Sequence, residues 1–185
     1  MVKRDLMRYI IISLILMVGL FVIGKNYLVP LKVTRANANH FLKAGDVLIY
    51  TKQKKPKPND FIVYTIDGKR HISRVIAKGD DKVMSMDDVL YINEVVKAEP
   101  YIEDLKAAYH TQTNHQSNFT MDFNLGLASQ PSKTKKRDHH YFVLNDNRQN
   151  LQDSRTFGLI KQGDIKGVLT FKLLPFESFG FLETQ

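Results

Sequence analysis

The sequence predicts a mostly β protein: an antiparallel β core, a small inserted cap and one N-terminal transmembrane helix. Three observations carry this. An apolar run without charged residues fills positions 9–24, and no later window has helical apolar spacing of comparable length. Short runs rich in Val, Ile, Tyr and Phe, bounded by Gly, Pro and Asn, recur from Leu31 to Leu174. A stretch dominated by His, Asn, Gln, Ser and Lys interrupts that pattern between Tyr109 and His140.

Composition narrows the function classes. The 185 residues suit one globular domain with a modest insertion. There is no cysteine, so disulfides and thiolate metal sites are excluded. The net charge of +8 collects in short clusters, Lys52 to Lys57 and Lys133 to Arg137, with little aromatic interleaving. That pattern fits an anionic cell-envelope surface rather than nucleic acid. His110, His115, His139 and His140 are irregularly spaced in a polar stretch and read as solvated side chains, so neither a metal nor a cofactor is expected.

At the N-terminus, residues 1–8 carry Lys3, Arg4 and Arg8 and are expected in the cytoplasm. Residues 9–29 follow as an uncleaved anchor of about 20 residues, placing the main domain outside the cell membrane. Ala36-Asn37-Ala38 is a small-x-small site too far beyond the apolar run for ordinary signal cleavage. A β core is expected from residues 31–78 and 141–175, with an inserted cap at 79–140 and a tail at 176–185. Asp67-Gly68 marks a hairpin between Phe61–Ile66 and His71–Ala77. A helix is expected only near Tyr101–Tyr109, strands at 89–93 and 165–174, and flexible surface across 109–140. Phe176, Phe179 and Phe181 have two open placements, the membrane surface or the core.

The densest chemistry lies at Asn145-Asp146-Asn147-Arg148 and Asp153-Ser154-Arg155, closing at Gly158. Asp and Arg side chains this close hold a loop in one shape through bidentate pairs, and Arg74 is expected to join the Asp153–Arg155 region in one ion-pair network. The stretch resembles the last box of the type I signal peptidases of Gram-positive type, GDN-R-x-x-S-x-D-S-R-x-x-G. The resemblance extends through Asn59-Asp60-Phe61-Ile62-Val63, through Ser73-Arg74-Val75-Ile76-Ala77-Lys78-Gly79-Asp80, and through Leu90-Tyr91-Ile92-Asn93 with Glu99-Pro100-Tyr101.

That resemblance implies a signal-peptidase-like fold and a groove for an extended peptide, formed by Val33, Arg35, Ala36, Asn37, Ala38, Ile72 and Ser73, on a scaffold of Arg74, Asp146, Asn147, Arg148, Asp153, Ser154, Arg155 and Gly158. It also puts Asn37 in the nucleophile slot, Ser73 in the general-base slot and Leu151 in the slot of the Ser that orients the Lys. A serine–lysine dyad needs a hydroxyl beside a neutral Lys, so the expectation is a family member without catalysis. It would bind secreted or surface proteins and assist their assembly, as in sortase-built pili, with pilins and a sortase as partners. One alternative is an active membrane-bound signal peptidase with a displaced dyad, His71 with Ser73, or Thr34 as hydroxyl. A decayed paralogue is the other.

Overall fold

The computed structural model describes residues 3–35, 38, 41–124 and 139–182. The N-terminal apolar run forms helix α1 (Lys3–Tyr27), and the chain passes directly into strand β1 (Leu28–Lys32). Leu28 and Val29, expected within the anchor, are therefore sheet residues. Pro30 explains the change: proline cannot continue a helix and pushes the preceding residue toward extended backbone, while an edge strand tolerates it. Among the described residues no helix is long and apolar enough to cross a membrane, so the fold does not itself show the single-pass helix expected over 9–29. The large apolar side chains of α1 from Tyr9 to Val18 that the structure describes are nonetheless each more than half exposed.

Beyond β1 come β2 (Val47–Thr51), β3 (Phe61–Ile66), β4 (Lys69–Lys78), β5 (Val83–Met86), β6 (Val89–Ile92), β7 (Val95–Lys97), helix α2 (Glu103–Gln112) and β8 (Phe123–Asn124). The chain is described again through β9 (His140–Leu144), the short helix α3 (Ser154–Phe157), β10 (Ile160–Lys161), β11 (Ile165–Leu174) and β12 (Gly180–Phe181). Two sheets result. The larger has the order β1-β2-β11-β3-β4-β9-β10, with β12 added to β11; the smaller has the order β7-β6-β5-β8. All paired strands run antiparallel.

Local chemistry sets the centre of the larger sheet. Asp67 and Gly68 both take positive φ, 49° and 74°, as a two-residue hairpin turn between β3 and β4 requires. Residues 72–77 of β4 are buried on both faces. One face packs Leu31, Leu48, Phe61, Val63, Ile72 and Leu169. The opposite face packs Ile62, Tyr64, Val75, Val143 and Val168. A third cluster joins Ile76, Phe142 and Leu144 to Val83, Leu90, Ile102 and Phe119, tying the inserted segment to the sheet that carries it.

Within the polar stretch expected over 109–140, the described residues 109–124 are more ordered than their composition implies. Both Asp88 carboxylate oxygens accept backbone N–H groups, from Phe119 at 2.8 Å and Thr120 at 2.5 Å, and His110 lies 3.0 Å from the same carboxylate. Tyr109 and Phe119 pack with their ring planes tilted by 54° at 5.5 Å between ring centres. One buried acid and an aromatic pair thus hold residues whose own side chains are polar. Residues 125–138 of that stretch lie outside the described residues.

Gly167 of β11 sits where the backbone of β2 comes close. A Cβ there would stand 2.5 Å from Thr51 O and 2.6 Å from Tyr50 Cδ2, and backbone cannot yield as a flexible side chain can. Gly167→Ala is therefore expected to lower the melting temperature followed by circular dichroism, whereas Gly163→Ala, with nothing within 4 Å of its added carbon, leaves it near the parent value.

Candidate functional site

The site is built where β4 loses one neighbour. β9 pairs with β4 only from Arg74 to Lys78, so residues 69–73 have β3 on one side and no described strand on the other. Past Leu144 the chain leaves the sheet and folds over this end as the loop 145–153. The loop carries most of the charged residues that the sequence marked.

Three ion pairs hold it. Arg74, 1% exposed, donates to both Asp146 oxygens from Nε (2.8 Å) and Nη2 (2.7 Å) and from Nη1 to Asn59 O (3.1 Å). Its guanidinium carbon lies 4.2 Å from the Phe61 ring centre and 4.0 Å from that of Tyr101, an arrangement in which the cation meets the negative ring faces. Arg148, fully buried, donates to Glu99 at 2.6 and 3.2 Å and to Asn145 O at 2.9 Å. Burial alone pulls the Arg148 pKa down, but Glu99 reverses the balance, and the net direction is upward. Tyr101 donates its hydroxyl to the same Glu99 at 2.7 Å, and its pKa is raised by burial first and by Glu99 second. Arg155 grips Asp153 at 2.9 and 2.7 Å and reaches back to Arg148 O and Asn150 O at 2.8 Å each.

The single network expected between Arg74 and the Asp153–Arg155 region is thus replaced by three pairs, each with its own partner. The reason is geometric. Arg74 leaves β4 on the face of Phe61 and Tyr101, where Asp146 arrives from the end of β9. Asp153 is turned the other way, accepting Asn145 N (2.9 Å) and Arg155 N (3.0 Å) as the cap of α3. Ser154 accepts Val143 N at 2.9 Å, and Gly158 closes the helix with φ 73°.

On the opposite face of β4 lies a smaller polar group. Ser73, 1% exposed, donates to Asn145 Oδ1 at 2.7 Å and shares a 3.0 Å hydrogen bond with the Tyr64 hydroxyl. Asn145 Nδ2 donates to Asn150 O and Gln152 O at 3.0 and 3.2 Å. The Tyr64 pKa is pushed up to about 12, by burial first, with the Ser73 bond acting against the rise and Asp153 adding to it. His71 stands opposite Tyr64 in the register, stacks on its ring at 5.5 Å and meets the edge of Phe157 at 5.0 Å. Burial lowers the His71 pKa, and the nearby Lys69 charge lowers it further. His71 and Ser73 share Tyr64 as a neighbour, but no direct hydrogen bond joins them among those described.

The remaining predicted residues scatter. Val33 and Ile72 are buried in the core, Thr34 and Arg35 are exposed, and Ala38 is half-buried. Ala36 and Asn37, the latter in the nucleophile slot of the resemblance, lie outside the described residues, so their geometry is not described. Leu151 is exposed, and Asn147 caps the loop by accepting Gln149 N at 3.1 Å. An open cleft of about 470 Å³ runs between Ala38, Leu105, Tyr109, Phe119 and Gln149. Tyr64, Asn145 and Glu99 belong to the site, yet the sequence assigned none of them a partner, although Asn145 and Glu99 stand within the quoted boxes. Tyr64 was legible only as one more β aromatic, and the buried acid at Glu99 needed Arg148, 49 residues away, to declare it. Among the described residues no metal-binding cluster occurs.

Breaking one partner of a buried pair leaves the other charge unpaired, at a cost of about 3–5 kcal/mol. Asp146→Ala is expected to lose that much in urea unfolding, and Arg155→Ala less, since its partner Asp153 keeps two backbone donors. Equal and negligible losses would mean that the loop is held by its backbone alone.

Comparison with known proteins places this arrangement. The family described as "Signal peptidase, peptidase S26" matches residues 4–174. A "Signal peptidase IB" of Staphylococcus aureus (strain MRSA252) is 30% identical over 97% of this chain and 95% of its own length. A "Signal peptidase I" of Bacillus caldolyticus is 32% identical over 76% of each chain. The crystal structure of a signal peptidase I from Enterococcus faecalis V583 superposes with a TM-score of 0.51 at 36% identity, covering 63% of this chain and 98% of that one. These relatives overturn the expectation that the chain is not an enzyme: proteins named as peptidases match it almost end to end. The antiparallel β core, the three buried pairs and these matches lead to one assignment: the chain belongs to the signal peptidase family, peptidase S26.

Proposed function

We propose that this protein is a membrane-anchored serine-type endopeptidase that cuts extended segments of exported proteins, pilins and other surface chains among them, with its hydroxyl and base displaced from the positions the family resemblance implies. The observation that carries this reading is the 30% identity to a "Signal peptidase IB" over 97% of the chain. Membrane attachment is supported by α1. Its successive residues Tyr9, Ile10, Ile11 and Ile12 are all exposed, and four consecutive positions cover every face of a helix, so no face is kept for a protein core. Lys3, Arg4 and Arg8 ahead of it favour a cytoplasmic N-terminus.

Substrate recognition rests on the open edge of β4. An extended peptide adds to such an edge through backbone hydrogen bonds, and these accept many sequences. The chemistry rests on Ser73 and His71 beside that edge. Two positions apart on one strand face, their Cα atoms are separated by roughly 7 Å, and turning the two side chains toward each other brings imidazole and hydroxyl within reach of proton transfer. For attack, Ser73 gives up its bond to Asn145, and its hydroxyl proton passes to His71. Serine Oγ then bonds the scissile carbonyl carbon. His71 returns the proton to the departing amine, and water hydrolyses the resulting ester.

The depressed His71 pKa keeps the imidazole neutral near pH 7, which a base requires. Protonation removes the base, so activity should fall as pH drops, with its midpoint below the ordinary value of 6.5. The test is cleavage of a secretory preprotein by the full chain in detergent. Ser73→Ala and His71→Ala are each expected to abolish it, and Thr34→Ala to leave it. A silent wild type beside an active Asn37→Ser, Ser73→Lys, Leu151→Ser variant would overturn the displaced pair. Cleavage lost only in Thr34→Ala would transfer the hydroxyl to Thr34.

A further inference from the structure

Helix α2 gives little of its surface to the core. None of its residues is fully buried, yet Leu105, Ala108, Tyr109 and Gln112 stand at the i, i+3, i+4, i+7 spacing of one helix face. That face lines the open cleft of about 470 Å³, together with Ala38, Phe119, Asn147 and Gln149. Ligand sites are ordinarily clefts of about 300–1,000 Å³. No charged side chain lines this one. Asp146 and Arg148 alternate with Asn147 and Gln149 along the loop, but they are turned away into their pairs with Arg74 and Glu99.

The polar groups of the cleft are amides with bonding capacity to spare. Gln149 donates Nε2 to Phe119 O at 2.8 Å, and Asn147 Oδ1 accepts Gln149 N at 3.1 Å. Gln149 Oε1, Asn147 Nδ2 and the Gln112 amide have no protein partner among the described residues, and all three side chains are exposed. The cleft is also where a bound peptide is sent. A peptide added to β4 has room only along residues 69–73, because β9 takes the same edge from Arg74 onward. It leaves the sheet where Ser73 meets Asn145 at 2.7 Å. Asn147 and Gln149 follow on that loop, and Ala38 follows the slot assigned to Asn37, so both lead from the strand edge to the cleft.

We infer that this cleft is a second subsite, taking the part of an exported chain that lies beyond the scissile bond. Its occupant is an uncharged extended segment. Gln112, Asn147 and Gln149 hold the backbone, and Leu105, Tyr109 and Phe119 receive one apolar side chain. The inference rests on the proposed pairing of a peptide with the β4 edge, not on which hydroxyl attacks. Amide side chains both donate and accept, as a peptide backbone does, so they fit an extended chain of almost any sequence. A charged residue placed among them loses water without gaining a partner. The strand edge accepts many sequences, and the subsite adds discrimination by rejecting charge.

The chain contains no cysteine, so one introduced thiol reports one place. Full-length Ala108→Cys and Ala107→Cys proteins in detergent are mixed with synthetic peptides spanning the maturation bond of a secretory preprotein. Each peptide carries one cysteine at a different position, and disulfide formation is followed by mass spectrometry. Ala107 is exposed on the same helix, does not line the cleft and is turned from Ala108 by about 100°. Ala108→Cys is expected to capture peptides with their cysteine beyond the bond roughly tenfold faster than those with it before the bond, since binding raises the local concentration. Ala107→Cys should capture all of them slowly and alike. An Asp or Lys beside the capturing position should remove the advantage.

Equal capture at both helix positions, or capture that ignores where the peptide's cysteine lies, would mean chance collision and overturn the subsite. Faster capture of peptides with the cysteine before the bond would place the other half of the chain in the cleft and overturn it as well. Cleavage of the whole preprotein is measured in parallel. Position-dependent capture without cleavage keeps the subsite and removes the displaced hydroxyl and base. Cleavage with position-independent capture does the reverse.

Discussion

Arg74 and Asp146 hold two parts of the chain that are 72 residues apart, and most of the site depends on that contact. Burying an isolated guanidinium is prohibitive, and even a paired one repays its desolvation only when its donors are satisfied. Here Asp146 takes two donors and Asn59 O a third, while Phe61 and Tyr101 supply the ring faces between which the cation lies. The arrangement leaves Arg74 one position. Because Asp146 lies two residues past the end of β9, fixing it fixes the direction in which the chain leaves the sheet. The loop 145–153 and the cap of α3 follow from that direction.

The inserted segment depends on the same region through a different pair. Glu99 comes from the turn between β7 and α2 and meets Arg148 inside the loop. Tyr101, from the same turn, contacts Arg74 with its ring and Glu99 with its hydroxyl. A change in one pair is therefore felt by the other through one aromatic side chain, and double substitutions across the two should not add. Cap and core share a polar joint surrounded by apolar contacts from Phe119, Phe142 and Leu144.

The two faces of β4 divide the work. The face carrying Arg74 is committed to structure, with its charges paired and its apolar neighbours packed. The face carrying His71 and Ser73 holds polar groups with partners that are neutral and exchangeable, beside an edge that no described strand occupies. Neutral hydrogen bonds are worth about 1 kcal/mol net, against several for breaking a buried charge pair. Rearrangement during a reaction therefore falls on the Ser73 face and leaves the Arg74 face in place.

Patterns local to the sequence determined much of the fold. Alternation and β-branching marked the strands of the core, Asp67-Gly68 marked the hairpin, and the Asp–Arg loop marked the site with the family that uses it. These signals depend on neighbours within a few residues, which a sequence displays directly. What only tertiary structure decided depends on partners far apart in the chain. Arg74 chose Asp146 over Asp153 because of the strand face it leaves from. Tyr64 and Asn145 became partners of Ser73 through sheet register, and Glu99 became a buried acid because Arg148 arrives beside it. Order in 109–124 came from Asp88, outside the stretch, and from bonds such as Tyr109 to Ser117, not from any apolar periodicity.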